Sequence, residues 1–325
     1  MTTTLRGTGQ GTGRGTGQGI GRSIGRSASL LRHRVGPRVA SRTPADWDDR
    51  PYTRFALRPA GTTIGAEISG LSLAEPLDGD MHQELNRALL EWKVLFFRDQ
   101  HLNHEQHLAF AHHWGEVEVH PFIRKNQPES TPEVVRLEHG QNSPGRENGW
   151  HSDVTWRETP SLGSILRAVE IPPFGGDTLW ADMAAAYDQL DDDIKEKVDG
   201  LVAMHDWVQT FGRGMDQELF DSLRPDFPPT EHPVVRTHPE TGRKTLYVNA
   251  AFTTHIVGLD SDESDSLLSF LYHQANYPEY QTRLQWAPGT IAFWDNRSTQ
   301  HYAASDYHPH RRVMDRITIV GDRPY

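Results

Sequence analysis

The sequence predicts a mainly β fold with flanking helices, an antiparallel sandwich or jelly roll rather than a parallel βαβ sheet. Three observations carry this. Between Val134 and the C-terminus, short runs of strand length recur, separated by Gly- and Pro-bearing turns. Helical spacing is confined to a few segments that precede or interrupt those runs. The N-terminal glycines alternate, as in Gly7-Thr8-Gly9-Gln10-Gly11, and no strand precedes them, which excludes a dinucleotide-binding turn.

Residues 1–50 read as a low-complexity basic tail, too poor in apolar surface to order itself. Its Arg/Ser-rich, acid-free composition also resembles an organellar transit segment, and a start codon placed too early would look the same. A single folded domain is expected over 51–325. Thr62 to Leu73 reads as one or two short strands broken by Gly65 and Gly70. Met81 to Trp92 has helical spacing, with Leu85, Leu89 and Trp92 on one side, and runs into the apolar strand Val94–Phe97. A second helix is expected over Asn103–Trp114. Strands follow at Ser164–Val169, Asp177–Trp180, Leu201–Trp207, Thr245–Val248, Thr290–Trp294 and Arg312–Val320, with helices at Met183–Leu190 and Glu263–Gln274.

At 325 residues, with 36% hydrophobic and 24% charged residues, the composition is that of a globular protein able to bury a real core. No apolar run reaches the length that spans a bilayer, so no membrane partner is expected. The absence of cysteine excludes disulfides, thiolate-held clusters and thiol nucleophiles, so any metal must be held by His, Asp or Glu. A cytoplasmic location is the simplest reading. The net charge is −11, yet the first 45 residues carry only positive charge, so the folded body is more acidic still. Such a body attracts neither nucleic acid nor small anions through its overall field; an anionic ligand would need local arginines.

Three His-x-acid triplets occur: His82/Glu84, His151/Asp153 and His238/Glu240. With 18 His and 44 acidic residues, chance alone supplies about two. The first lies on a predicted helix, where i and i+2 do not share a face. The third sits in the turn-like His238-Pro239-Glu240-Thr241-Gly242 and is expected to be solvated. The second lies in Trp150–Trp156, which reads as extended chain, so His151 and Asp153 should project to one side, about 6–7 Å apart at the backbone. His301, on a different strand, supplies a third direction. Two imidazoles and one carboxylate form the facial triad of non-haem Fe(II) oxygenases, with other coordination positions left open. In the strand that follows, Arg312 and Arg316 fall on one face, about 13 Å apart. Burying two guanidiniums there is costly unless anions meet them.

Together these residues resemble the taurine/2-oxoglutarate dioxygenase family. The resemblance rests on Trp150–Trp156, Gly175–Trp180, Trp294–His301 and Arg312, eleven residues after His301, and covers Tyr52 to Pro324. His232–Pro239, Leu246–Asn249 and Phe252–Thr254 resemble the taurine branch. The resemblance implies a double-stranded β-helix (jelly roll) with His151, Asp153 and His301 as catalytic Fe(II) ligands. It implies 2-oxoglutarate as co-substrate, its far carboxylate held by Thr178 and Arg312, and O₂ as oxidant. His120, Val154, Phe211, Phe252 and Arg316 are implied to contact the substrate, and a homo-oligomer is the common state. The implied reaction hydroxylates a small organosulfonate such as taurine at the carbon bearing sulfur, releasing aldehyde and sulfite with succinate and CO₂.

Two positions depart from the taurine pattern: Ile123 stands for a tyrosine and Glu147 for an asparagine, both of which help seat taurine. The same chemistry on an alkyl sulfate or an aryloxy-carboxylate is therefore the alternative. A jelly roll that binds metal without turnover is the reading from another class; it predicts no substrate-stimulated O₂ uptake.

Overall fold

Val94-Leu95-Phe96-Phe97 is buried on both faces, and the two faces belong to different layers. Leu95 and Phe97 pack against a helical layer through Leu85, Leu89, Trp92 and Phe110. Val94 and Phe96 face a second sheet through Trp180 and Leu284, alongside Trp294 of their own sheet. That is why this strand carries no polar residue. The computed structural model describes residues 35–122, 130–145 and 147–325.

Fifteen strands are present among the described residues: β1 (Ala56–Pro59), β2 (Ala66–Ser69), β3 (Val94–Phe97), β4 (Val135–His139), β5 (Ser161–Glu170), β6 (Thr178–Asp182), β7 (Val202–His205), β8 (Thr230–Pro233), β9 (Val235–Thr237), β10 (Lys244–Leu246), β11 (Thr253–Ile256), β12 (Gln281–Leu284), β13 (Ile291–Asp295), β14 (Thr299–Ala303) and β15 (Arg312–Val320). The large sheet runs β1-β2-β3-β13-β5-β15-β4, antiparallel throughout except β2 against β3. A smaller sheet, β12-β6-β14, faces it, and Trp180 bridges the gap with its ring 5.4 Å from Phe96 and 5.7 Å from Trp294. Two antiparallel sheets closed over a shared apolar interior make a jelly roll.

Helices flank this core as expected. Gly79–Trp92 (α1) starts where the Asp78 carboxylate accepts from Met81 N. His104–Ala111 (α2) starts with a reciprocal Asn103/Gln106 capping box, and both helices cover the outer face of the large sheet. The strands β1, β4, β8, β9, β11 and β12 were not read from the sequence; they are short, and their polar residues hide the alternation.

The expected tail boundary needs correction. Arg38 sits 3.6 Å from the centre of the Tyr277 ring and donates to Tyr280 Oη at 2.8 Å. Arg42 stacks on Trp92 and bonds Glu91, while the buried Lys93 Nζ donates to Arg42 O at 2.7 Å. Guanidinium stacking on aromatic rings thus orders a stretch that composition alone marks as disordered. The tail reading for residues 1–34 lies outside the described residues, as does Ile123.

Candidate metal centre and substrate cavity

His151 and His301 meet across an antiparallel bridge: His151 N donates to His301 O at 3.1 Å and His301 N to His151 O at 2.8 Å. Their rings lie side by side, centroids 4.1 Å apart. The chain does not continue extended to Trp156, contrary to the sequence expectation. It turns directly after Asp153, with Val154 at φ 49°, and Arg157 N closes the turn on Val154 O. Asp153 therefore approaches the histidines from the side, its Oδ1 3.9 Å from Nε2 of each. One ligand atom from each residue lies within 4.8 Å of the others, a spacing that ligands about 2 Å from a shared ion can close upon.

Asp153, 3% exposed, is held from three directions. Asn296 Oδ1 accepts from its backbone N–H at 3.2 Å, Ser164 Oγ donates to its Oδ2 at 2.7 Å, and Arg316 Nη1 donates to its Oδ1 at 2.8 Å. Asn296 Nδ2 in turn donates to Ser164 Oγ, so one amide sets both ends of the ligand residue. Burial acts to raise the Asp153 pKa, but Arg316, His301 and His151 outweigh it and hold the carboxylate well below its usual range. Burial, helped by His151, pushes His301 down to about 3. His151 Nδ1 donates to Gly149 O at 2.8 Å, which leaves its Nε2 lone pair for a metal. A carboxylate with two imidazoles fits Fe(II).

Beside this triad a buried guanidinium meets no carboxylate within hydrogen-bond reach among the described residues. Arg312, 5% exposed, donates through Nε to Gly176 O at 3.1 Å, and its Nη2 has no hydrogen-bond partner among the described residues. Burial pulls its pKa below the ordinary value. Gly176, at φ 70°, is required here, since a Cβ would lie 3.0 Å from Arg312 Cδ. Thr178 lines the same narrow cavity, and its Oγ1 accepts from Trp286 Nε1 at 3.0 Å, which leaves the Thr178 O–H to donate. A buried cation with an open donor and a hydroxyl aimed by its neighbour suit a carboxylate.

A larger cavity of about 370 Å³ opens next to the triad and shares Leu137, Glu147, His151 and Arg316 with the first. His120, Val154, Phe211 and Phe252 all line it. His120 is neutral, pushed to about 3 by burial and Arg316, and its Nδ1 accepts from Phe122 N. Phe211 and Phe252 stack with centroids 6.1 Å apart. Glu147 Oε1 lies 3.0 Å from His139 Nε2, and the carboxylate raises that imidazole's pKa.

Ser164, Asn296 and Trp286 were missed in the sequence, where a serine within an apolar strand or a tryptophan near a turn gives no distinct signal. His238, expected to be solvated, is 2% exposed, with Nε2 3.0 Å from Asp295 Oδ2, while Glu240 accepts from Arg297. Its Nδ1 accepts from the N–H groups of Glu240 and Thr241, so the turn curls around the imidazole rather than exposing it.

Fold and site together define a non-haem iron oxygenase built on a jelly roll, with a buried arginine beside the metal centre. The chain belongs to the family described as taurine catabolism dioxygenase TauD, TfdA family, whose model matches residues 56–318. It is 39% identical to an alkylsulfatase of Acinetobacter baylyi, over 84% of this chain and 87% of the relative. It is 36% identical to an alpha-ketoglutarate-dependent sulfate ester dioxygenase of Pseudomonas putida, over 82% and 90%. The crystal structure of a taurine dioxygenase from Burkholderia xenovorans superposes with a TM-score of 0.72 at 39% identity, covering 84% of this chain and 93% of that one. The protein is accordingly a dioxygenase that depends on Fe(II) and 2-oxoglutarate. Among the described residues, no helix is long and apolar enough to cross a membrane.

Proposed function

We propose that His151, Asp153 and His301 hold the Fe(II), that Arg312 and Thr178 bind the distal carboxylate of 2-oxoglutarate, and that the larger cavity takes an alkyl sulfate or sulfonate with an apolar chain. The observation that carries the substrate reading is the asymmetry of that cavity. One end presents Arg316, whose Nε has no hydrogen-bond partner among the described residues, and the walls are Leu137, Val154, Phe211, Ala251 and Phe252. A single guanidinium opposite apolar walls suits an anionic head and a hydrocarbon tail. About 370 Å³ is more than a two-carbon amino-sulfonate fills. An ammonium approaching Glu147 would also compete with His139, which disfavours taurine. Relatives named for alkyl sulfate and sulfate ester chemistry support a sulfate head.

When bound, Fe(II) with 2-oxoglutarate and O₂ supplies the oxidising power for hydroxylation, and 2-oxoglutarate leaves as succinate and CO₂. The chain's own residues determine where that power is applied. Arg316 fixes the anionic head next to Asp153, so the carbon carrying the sulfur group is the one held near the triad. His120, whose Nδ1 accepts from Phe122 N, lines the cavity that holds this head. Phe211 and Phe252 exclude water from the chain. Hydroxylation at that carbon yields an adduct that collapses to an aldehyde, with loss of sulfate from an ester or sulfite from a sulfonate.

Succinate release with hexyl sulfate, hexanesulfonate, taurine and phenoxyacetate tests this reading. Hexyl sulfate is expected to give the highest kcat/KM. Taurine in first place would overturn the chain-length argument, and phenoxyacetate in first place would overturn the head group.

A further inference from the structure

Val154 is a β-branched residue in the left-handed region, a strained conformation that persists only where its surroundings enforce it. Its neighbour Thr155 is completely buried and shows what enforces it. Thr155 Oγ1 accepts from Asn249 Nδ2 at 3.0 Å and lies 3.0 Å from His205 Nδ1. His205 Nε2 is 3.4 Å from Thr253 Oγ1, which itself accepts from Asn249 N at 3.0 Å. Three side-chain contacts and the Asn249 backbone N–H close a ring, and one neutral tautomer satisfies it: Thr155 O–H donates to Nδ1 and Nε2–H donates to Thr253. Complete burial of His205 keeps it in that neutral form.

Asn249 does more than close the ring. Its Oδ1 accepts from Ala251 N at 3.2 Å and from Phe252 N at 3.0 Å. A single amide therefore ties the turn carrying Val154 to the turn carrying Ala251 and Phe252. All three of those residues line the substrate cavity, and the first directly follows the metal-binding carboxylate. We infer that Thr155, Asn249 and His205 are positioning residues: they fix the spacing between two walls of the substrate cavity and hold the strained Val154 backbone between Asp153 and the substrate. The inference rests on the proposed placement of substrate in this cavity and not on which anion the substrate carries.

The test compares Thr155→Val, which keeps the shape and removes the hydroxyl, with Thr155→Ser, which keeps the hydroxyl. The probe is whichever of hexyl sulfate, hexanesulfonate, taurine and phenoxyacetate the unmodified protein turns over best. Thr155→Val is expected to raise the KM for that probe roughly tenfold, the scale of one buried donor left unmet, with the KM for 2-oxoglutarate within about twofold. Thr155→Ser is expected to restore it. Amide hydrogen exchange on the metal-free protein supplies a readout without turnover. In Thr155→Val, residues 153–157 and 249–253 should exchange faster together, and Asn249→Ala should do the same to both. Acceleration confined to 153–157 would overturn the coupling. A lower Tm with an unchanged probe KM, or equal rises in both KM values, would reduce the ring to a structural role.

Discussion

Arg312→Met is the most discriminating single change, because it makes stability and co-substrate binding move independently. The guanidinium is 5% exposed, makes one hydrogen bond to Gly176 O, and meets no carboxylate within hydrogen-bond reach among the described residues. An uncompensated buried charge costs several kcal/mol, whereas the bond to Gly176 returns only about 1 kcal/mol. Methionine matches the length of the stem, so the metal-free protein should melt at the same temperature or higher. Once 2-oxoglutarate is bound the balance reverses, because removing one partner of a buried charge pair costs about 3–5 kcal/mol. At about 1.4 kcal/mol per tenfold, the KM for 2-oxoglutarate should rise roughly 100- to 4,000-fold. The assay is succinate formation against 2-oxoglutarate at saturating substrate, with thermal melts of the metal-free protein alongside. The substrate KM should stay within about threefold. A substantial drop in Tm, or equal rises in both KM values, would show that Arg312 is a structural cation and refute the reasoning.

Trp286→Phe removes the donor that orients Thr178 and should raise the KM for 2-oxoglutarate about three- to tenfold, with the substrate KM unchanged; the same succinate assay checks it. Arg316→Ala should act in the opposite sense to Arg312→Met, raising the substrate KM far more than that for 2-oxoglutarate; equal effects would argue against separate anchors. Asp153→Ala should abolish both turnover and tight Fe(II) binding, measured by calorimetry under anaerobic conditions. Asp315 gives a pH signature. Burial acts to raise its pKa, but hydrogen bonds from Arg136 and His104 outweigh this and bring it to about 2. Its folded value thus lies below the unfolded ~3.9, so the stability it adds is present above about pH 4 and lost as pH falls toward 2. Asp315→Asn should remove that acid limb and cost on the order of 2 kcal/mol at neutral pH, read from denaturant midpoints between pH 2 and 7.

The strands that carry the chemistry were readable where one face is apolar. Arg312–Val320 and Val94–Phe97 sit where periodicity puts them, and His151, Asp153 and His301 do converge. What the sequence hid was mostly long-range. Trp150–Trp156 looks extended because Val154 has strong β propensity, and the bonds that accompany the turn come from residues 50 to 100 positions away, beyond the reach of local pattern. His238 was misread because a Pro/Gly-flanked turn usually lies in water; Asp295, 57 residues away, draws the ring inward. Arg38 and Arg42 belong to a stretch of tail-like composition, and the aromatic rings that seat them come from elsewhere in the chain. Glu147 was legible as a departure from the taurine pattern, but its partner His139 was not.

Arg312 and Arg316 stand on one strand, β15, with Asp315 between them on the opposite face. Asp315 receives Arg136 at 2.9 Å, Arg167 at 2.5 Å and His104 at 3.0 Å, which rivets the strand to β4, β5 and the helical layer. The separation of the two cations is therefore a ruler with fixed graduations, set by backbone pitch. Neither mark can shift to suit a longer or bulkier molecule. On the proposed assignment, new chemical tastes in this scaffold must come from the segments that bring Phe211 and Phe252, while β15 keeps every accepted molecule at the same remove from its oxidant.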